Sequence, residues 1–185
     1  MPIKETGLSR VLSIAKDSLW IVIPLIIAAA IFGYKYHFPK RIAADYPAVE
    51  YRTGDPSSAE QTNIHVNGKL YRPLFRDPYF KGRIAIDKYE FTGSADYSMF
   101  TIMFTSDIQN GWGLLSFSTY LNHMPSIESL GTIWQHGDMK ELKVNIFDPV
   151  GADKKESKDL MLIAPATTID EALTLERSFA DRGQK

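Results

Sequence analysis

SLWIVIPLIIAAAIFGY, Ser18 to Tyr34, is an uncharged apolar run, and its reading decides the architecture. An α-helix rises about 1.5 Å per residue, so a hydrocarbon core of roughly 30 Å takes about 17 to 20 such residues. The run therefore just spans a bilayer. Trp20 lies near one end and Tyr34, Tyr36 and Phe38 near the other, where amphipathic rings favour the headgroup boundary. Lys35 can extend its ammonium towards water along an apolar stem, which lengthens the usable helix to Phe38. Pro24 removes one backbone donor a turn inside the helix, which membrane helices accommodate. Residues 18–38 are accordingly predicted to be a transmembrane anchor, with the lipid bilayer as their partner.

A cleavable signal peptide is the rival reading, because Ala28, Ala29 and Ala30 supply small residues after the apolar core. Apolar residues nevertheless continue through Ile31 and Phe32, and the preceding segment is long for such a leader, so an uncleaved anchor is favoured. Flanking charge is balanced: Lys4, Arg10 and Lys16 precede the run, while Lys35, Lys40, Arg41 and Arg52 follow it. A short amino-terminal tail before one hydrophobic segment is the usual signal-anchor layout, which places the main domain outside the cytoplasm.

Outward from the anchor, residues 1–17 form a short tail with apolar positions at helical spacing. Residues 39–61, rich in Ala, Pro, Asp, Ser and Glu, read as a linker. Residues 62–185 form one β-rich domain, large enough to bury a core without staples. The chain has no cysteine, which excludes disulfides, thiolate metal sites, cysteine nucleophiles and a lipidated cysteine together. Its formal net charge of -1, with bases spread among acids, argues against a nucleic-acid partner.

Within the domain, Ile64–Val66 and Lys69–Arg72 flank Asn67-Gly68, the pair that most readily forms a type I′ hairpin turn. Arg83 to Phe91 changes parity at Asp87-Lys88, which predicts a bulge or turn there. Met99–Thr105, Trp112–Tyr120, Thr132–His136, Leu142–Phe147 and Leu160–Ala164 read as further strands, with a solvated loop at Asp153–Asp159. Thr168 and Glu171 form a capping-box pattern, and Ile169, Ala172, Leu173 and Phe179 follow at helical spacing. The expected fold class is α+β: a transmembrane helix, then about seven strands closed by one C-terminal helix packed on the sheet.

Sequence signatures of catalysis are missing: no nucleophile elbow, zinc helix, phosphate loop or dinucleotide fingerprint occurs. His136 and Asp138, with His123 from a neighbouring strand, compose the one candidate metal or acid/base group, although Gly137 between them favours a turn. Asp87 and Glu90 read as a solvated pair. PLFRDPYFKG, Pro73 to Gly82, sets Phe75, Tyr79 and Phe80 among Arg76 and Lys81. Those three aromatics are candidate partner-binding anchors, and aromatics that plug the core are the alternative. Trp112 and Trp134 fall inside strand patterns.

IHVNGKLYRPLFRDPYFKGRIAIDKYEFT, together with LIAPATTIDEAL, resembles small membrane-anchored or secreted proteins of Gram-positive bacteria whose function is unassigned. The resemblance implies an envelope location and no active-site residues. The reading is thus a non-catalytic extracytoplasmic domain for binding, accessory or sensory work, with an envelope protein or glycan as partner and no cofactor. An envelope hydrolase or metal-dependent enzyme, and a membrane-retained immunity or inhibitor protein, are the alternatives.

Overall fold

The computed structural model describes residues 22–34, 36, 39–105, 111–121, 124–150 and 155–182. The chain divides into two compact units, one comprising Met1–Phe38 with Pro73–Arg76, the other Pro39–Arg72 with Asp77–Lys185.

In the first unit, residues 22–34 form helix α1, all of them exposed except the half-buried Gly33. At about 1.5 Å per residue the described helix measures about 20 Å. Among the described residues no helix is long and apolar enough to cross a membrane. The beginning of the apolar run, with Trp20, lies outside the described residues. Past the helix, Tyr36 N donates to Phe32 O at 2.8 Å, and the two rings stack at 5.1 Å between centroids.

The second unit is a sheet of nine strands rather than about seven, ordered β4-β6-β7-β8-β9-β1-β2-β3-β5. In chain order these are β1 Lys40–Arg52, β2 Asp55–Tyr71, β3 Tyr79–Ile86, β4 Ser98–Met99, β5 Ile102–Met103, β6 Gly113–Leu121, β7 Met124–His136, β8 Glu141–Val150 and β9 Lys155–Ala164. Every pairing is antiparallel. A 3-10 turn at Glu90–Thr92 follows β3, and helix α2 runs from Ile169 to Arg182.

The sheet curls into a half-barrel with one packed face inside. Period-two alternation places Ile64, Val66 and Leu70 of β2, Phe80, Ile84 and Ile86 of β3, and Leu142, Val144 and Ile146 of β8 in that core. On the opposite face, Val49 and Tyr51 of β1 and Met161 and Ile163 of β9 are covered by Ala166, Ala172 and the partly buried Leu173 and Leu175. The C-terminal helix thus docks as its apolar spacing predicts. Its start follows the expected cap: Glu171 N donates to Thr168 Oγ1 at 3.3 Å. The Glu171 carboxylate turns back one residue further, accepting from Thr167 N and Thr167 Oγ1, each at 2.8 Å.

Three readings of the sequence are corrected by the sheet. The linker expected at 39–61 is β1 and the first part of β2, because β1 lies between β2 and β9 and is covered on both faces from Ala48 to Tyr51. Small residues such as Ala48 suffice where two layers close on one strand, so context overrides weak β propensity. Asn67-Gly68 is no hairpin turn but mid-strand, facing Ala43 and Ile42 on one side and Arg83 and Gly82 on the other. A Cβ on Gly82 would stand 2.3 Å from Asn67 O and 2.4 Å from Gly68 Cα, so this glycine pair serves close backbone approach. The hairpin turn lies instead at Thr53-Gly54, where Gly54 takes φ 90°. Finally, most of the loop expected at Asp153–Asp159 is β9, whose ladder with β8 reaches Val150↔Lys155.

The ends of the strand order are joined. β4 pairs with β6 through Ser98↔Ser118 and Met99↔Phe117, and just beyond it β5 pairs with β3 through Phe80↔Ile102. Two further amides of β3 are met beyond it: Ile86 N donates to Thr92 Oγ1 of the 3-10 turn at 2.8 Å and Ile84 N to Met99 Sδ of β4 at 3.3 Å. Arg83 holds that turn in place by donating to the carbonyls of Thr92, Ser94 and Tyr97.

Candidate functional site

The three aromatics expected to act together are separated. Phe75 is 72 % exposed and belongs with the helix unit, its ring 6.5 Å from that of Tyr34, while the Arg76 guanidinium lies 4.7 Å over the same Tyr34 ring. Tyr79 is half-buried on β3 and stacks on Tyr71 at 4.6 Å. Phe80 is 0 % exposed, in the core. It cannot be a surface anchor, since its inward parity with Ile84 and Ile86 commits it to packing.

The candidate metal or acid/base group is not assembled either. His136 rests on the Phe179 ring, 4.7 Å between centroids. Asp138 has positive φ in the turn after β7 and pairs with Lys40, at 2.7 Å, and with Arg72. His123 lies outside the described residues. Among the described residues no group of three or more His, Asp or Glu could hold a metal ion.

Two polar clusters arise from strand register. On the outer face, His65 of β2 stands between two carboxylates: Nδ1 is 2.6 Å from Asp45 of β1 and Nε2 is 2.9 Å from Asp87 in the turn after β3. Asn63 donates to the other oxygen of Asp87 at 2.9 Å. The Asp45 contact, reinforced by Asp87, raises the His65 pKa above its ordinary value, and the Asn63 and His65 bonds lower that of Asp87. With a carboxylate on each ring nitrogen, the protonated ring is favoured, and neither nitrogen is presented to a substrate.

The second cluster surrounds Glu50, 2 % exposed on β1. Its carboxylate accepts from Lys88 Nζ at 2.6 Å and from Tyr89 OH at 2.7 Å, and Lys88 also pairs with Glu60. A buried carboxylate with two donors is satisfied, and here it ties the turn after β3 to β1. Neither cluster was visible in the sequence, because its members meet only once the register is known. Asp45↔His65 is a direct cross-strand pair, which is the one signal a correct register would have supplied.

The most unusual surface is α1. Val22, Ile23, Leu25, Ile26, Ile27, Ile31 and Phe32 are 44 to 69 % exposed, on every side of the helix. A helix apolar all round calls for an apolar surrounding. No protein family, characterised protein or solved structure matches the chain.

Proposed function

We propose that this chain is a single-pass membrane protein, anchored through residues 18–38, that presents a non-catalytic β-rich domain outside the cytoplasm as a binding, accessory or sensory module. The exposed apolar helix carries the reading. Burying an aliphatic or aromatic side chain yields about 1.5–3 kcal/mol, so the seven on α1 together favour lipid over water by on the order of 10 kcal/mol. No sequence-distant strand or helix of the domain is needed to cover such a surface when acyl chains do so. The polar chemistry of the domain favours binding over catalysis: His65 is bridged by two carboxylates, Asp138 by two cations, and Glu50 by Lys88 and Tyr89.

Alkaline carbonate extraction of native membranes, followed by protease treatment of intact cells or spheroplasts, tests both parts. The chain is expected in the membrane pellet with its carboxy-terminal domain cleaved from outside. Release by carbonate would overturn the anchor, and a protected domain in the pellet would overturn the orientation.

A further inference from the structure

We propose that the outer face of β1, β2 and β3, at the end where Lys40 opens β1 and Tyr71 closes β2, docks on the phosphate headgroups of anionic phospholipids. The inference rests on the anchored reading and specifies the surface that the bilayer meets.

Register defines the face. Arg41 pairs with Lys69, and Lys69 pairs in turn with Lys81, so three cations lie side by side across three strands. All three are exposed. Strands are about 4.8 Å apart, so the charges fall within about 10 Å of one another, close to a Debye length at physiological salt. Like charges directly opposed on a sheet repel and destabilise it. Several cations elsewhere in the sheet unit are neutralised at short range: Lys40 by Asp138 at 2.7 Å, Arg52 by Asp159 at 3.0 Å, Lys88 by Glu50 at 2.6 Å and Lys143 by Glu176 at 3.4 Å. Arg41, Lys69 and Lys81 have no carboxylate partner among the described residues. An unfavourable layer kept free of acids is complementary to an anion from outside.

The neighbouring layers give the face a direction. Beyond the cations, at the end of the strands, Tyr71 and Tyr79 stack at 4.6 Å, and tyrosine is enriched at the headgroup boundary. On the other side come Ala43, Asn67 and Arg83, in register, with the guanidinium of Arg83 occupied by carbonyls. Next is the Asp45, His65 and Asp87 cluster, whose carboxylates a negative surface repels. The chain passes between its two compact units at 38/39 and on either side of Pro73–Arg76. Each passage leaves the sheet from the tyrosine and cation end of β1, β2 and β3. Juxtamembrane cations attract anionic lipid, and the attraction falls with salt.

The full chain in nanodiscs of phosphatidylcholine, or of phosphatidylcholine with a quarter phosphatidylglycerol, provides the test. Acylation of Lys69 and Lys81 by an amine reagent is followed by mass spectrometry, with Lys88, exposed in the turn at the opposite end of β3, as internal reference. Labelling at both lysines should fall several-fold in the anionic discs and recover in 0.5 M salt, while labelling at Lys88 should be the same in the two discs. Arg41→Gln keeps both reporters and should weaken the protection. Equal labelling in the two discs, or protection indifferent to Arg41→Gln, would overturn the proposal. Equal protection by inorganic phosphate in neutral discs would also overturn it, as a free-phosphate site. If the chain is not retained in neutral discs, the anchored reading fails and this one falls with it; retention without differential labelling defeats the headgroup surface alone.

Discussion

Replacing Phe80 by Ala separates packing from recognition in the aromatic segment. The ring is fully buried, and its Cζ lies 2.6 Å from where a Cβ on Gly68 would stand. Its transfer from water is worth about 1.5–3 kcal/mol. The hole left behind resists collapse, since Gly68 and Gly82 have no side chains to move into it. At about 24 cal/mol per Å³, roughly 60 Å³ left unfilled adds about 1.5 kcal/mol. The sum, about 3–4.5 kcal/mol, lies in the usual range for a buried Phe→Ala change. Urea unfolding of the full chain in mild detergent, followed by tryptophan emission, should show the unfolding free energy falling by that amount, read as a lower midpoint at constant slope. Phe75→Ala, at a site 72 % exposed, should change it by less than about 0.5 kcal/mol. A Phe80 cost below about 1 kcal/mol with the slope intact would refute the core assignment and restore Phe80 as a partner anchor.

Gly82→Ala should destabilise the domain by about 3 kcal/mol or more in the same assay, since its Cβ would strike rigid backbone at 2.3 Å. A change under about 1 kcal/mol would mean that β2 and β3 part easily there. For His65, the folded pKa is raised above its unfolded value of about 6.5. Its stabilising contribution is therefore complete below about pH 6.5 and is lost as pH rises through the folded pKa. The groups are half-exposed and solvent-screened, so the effect on global stability is small. NMR titration is the sensitive readout: Asp45→Asn should lower the His65 pKa towards its ordinary value, and an unmoved titration would show that Asp45 does not hold the charge.

The turn at Asp87, the turn at Gly137 and the capped helix after Thr168 were legible because each is encoded locally. Other features depend on what lies across the sheet. Glycine after asparagine has the same letters in a tight turn and at a close approach of two strands, and only Gly82 opposite Gly68 decides between them. β1 with its alanines looks like linker until Ala48 joins the half-barrel core and Val49 and Tyr51 are covered by β9 and α2. Phe80 was legible in principle, since it shares parity with Ile84 and Ile86, but Arg76 and Lys81 gave its surroundings the composition of a surface loop. His65 with Asp45 and Asp87, and Glu50 with Lys88, are products of register and could not be found without it.

The bent segment that carries β4 and β5 restricts how any partner can be recruited. Strand addition to an exposed sheet edge needs a run of free amides and carbonyls. Here β3 is met by Ile102 and Met103 at its start and by Thr92 and Met99 further along, while β6 is met by Ser98 and Met99. A binding peptide therefore finds little ladder to extend at these positions, and two copies are discouraged from zipping edge to edge. Recognition is left to side chains on the faces and loops, where the choice of ligand can change without disturbing the fold.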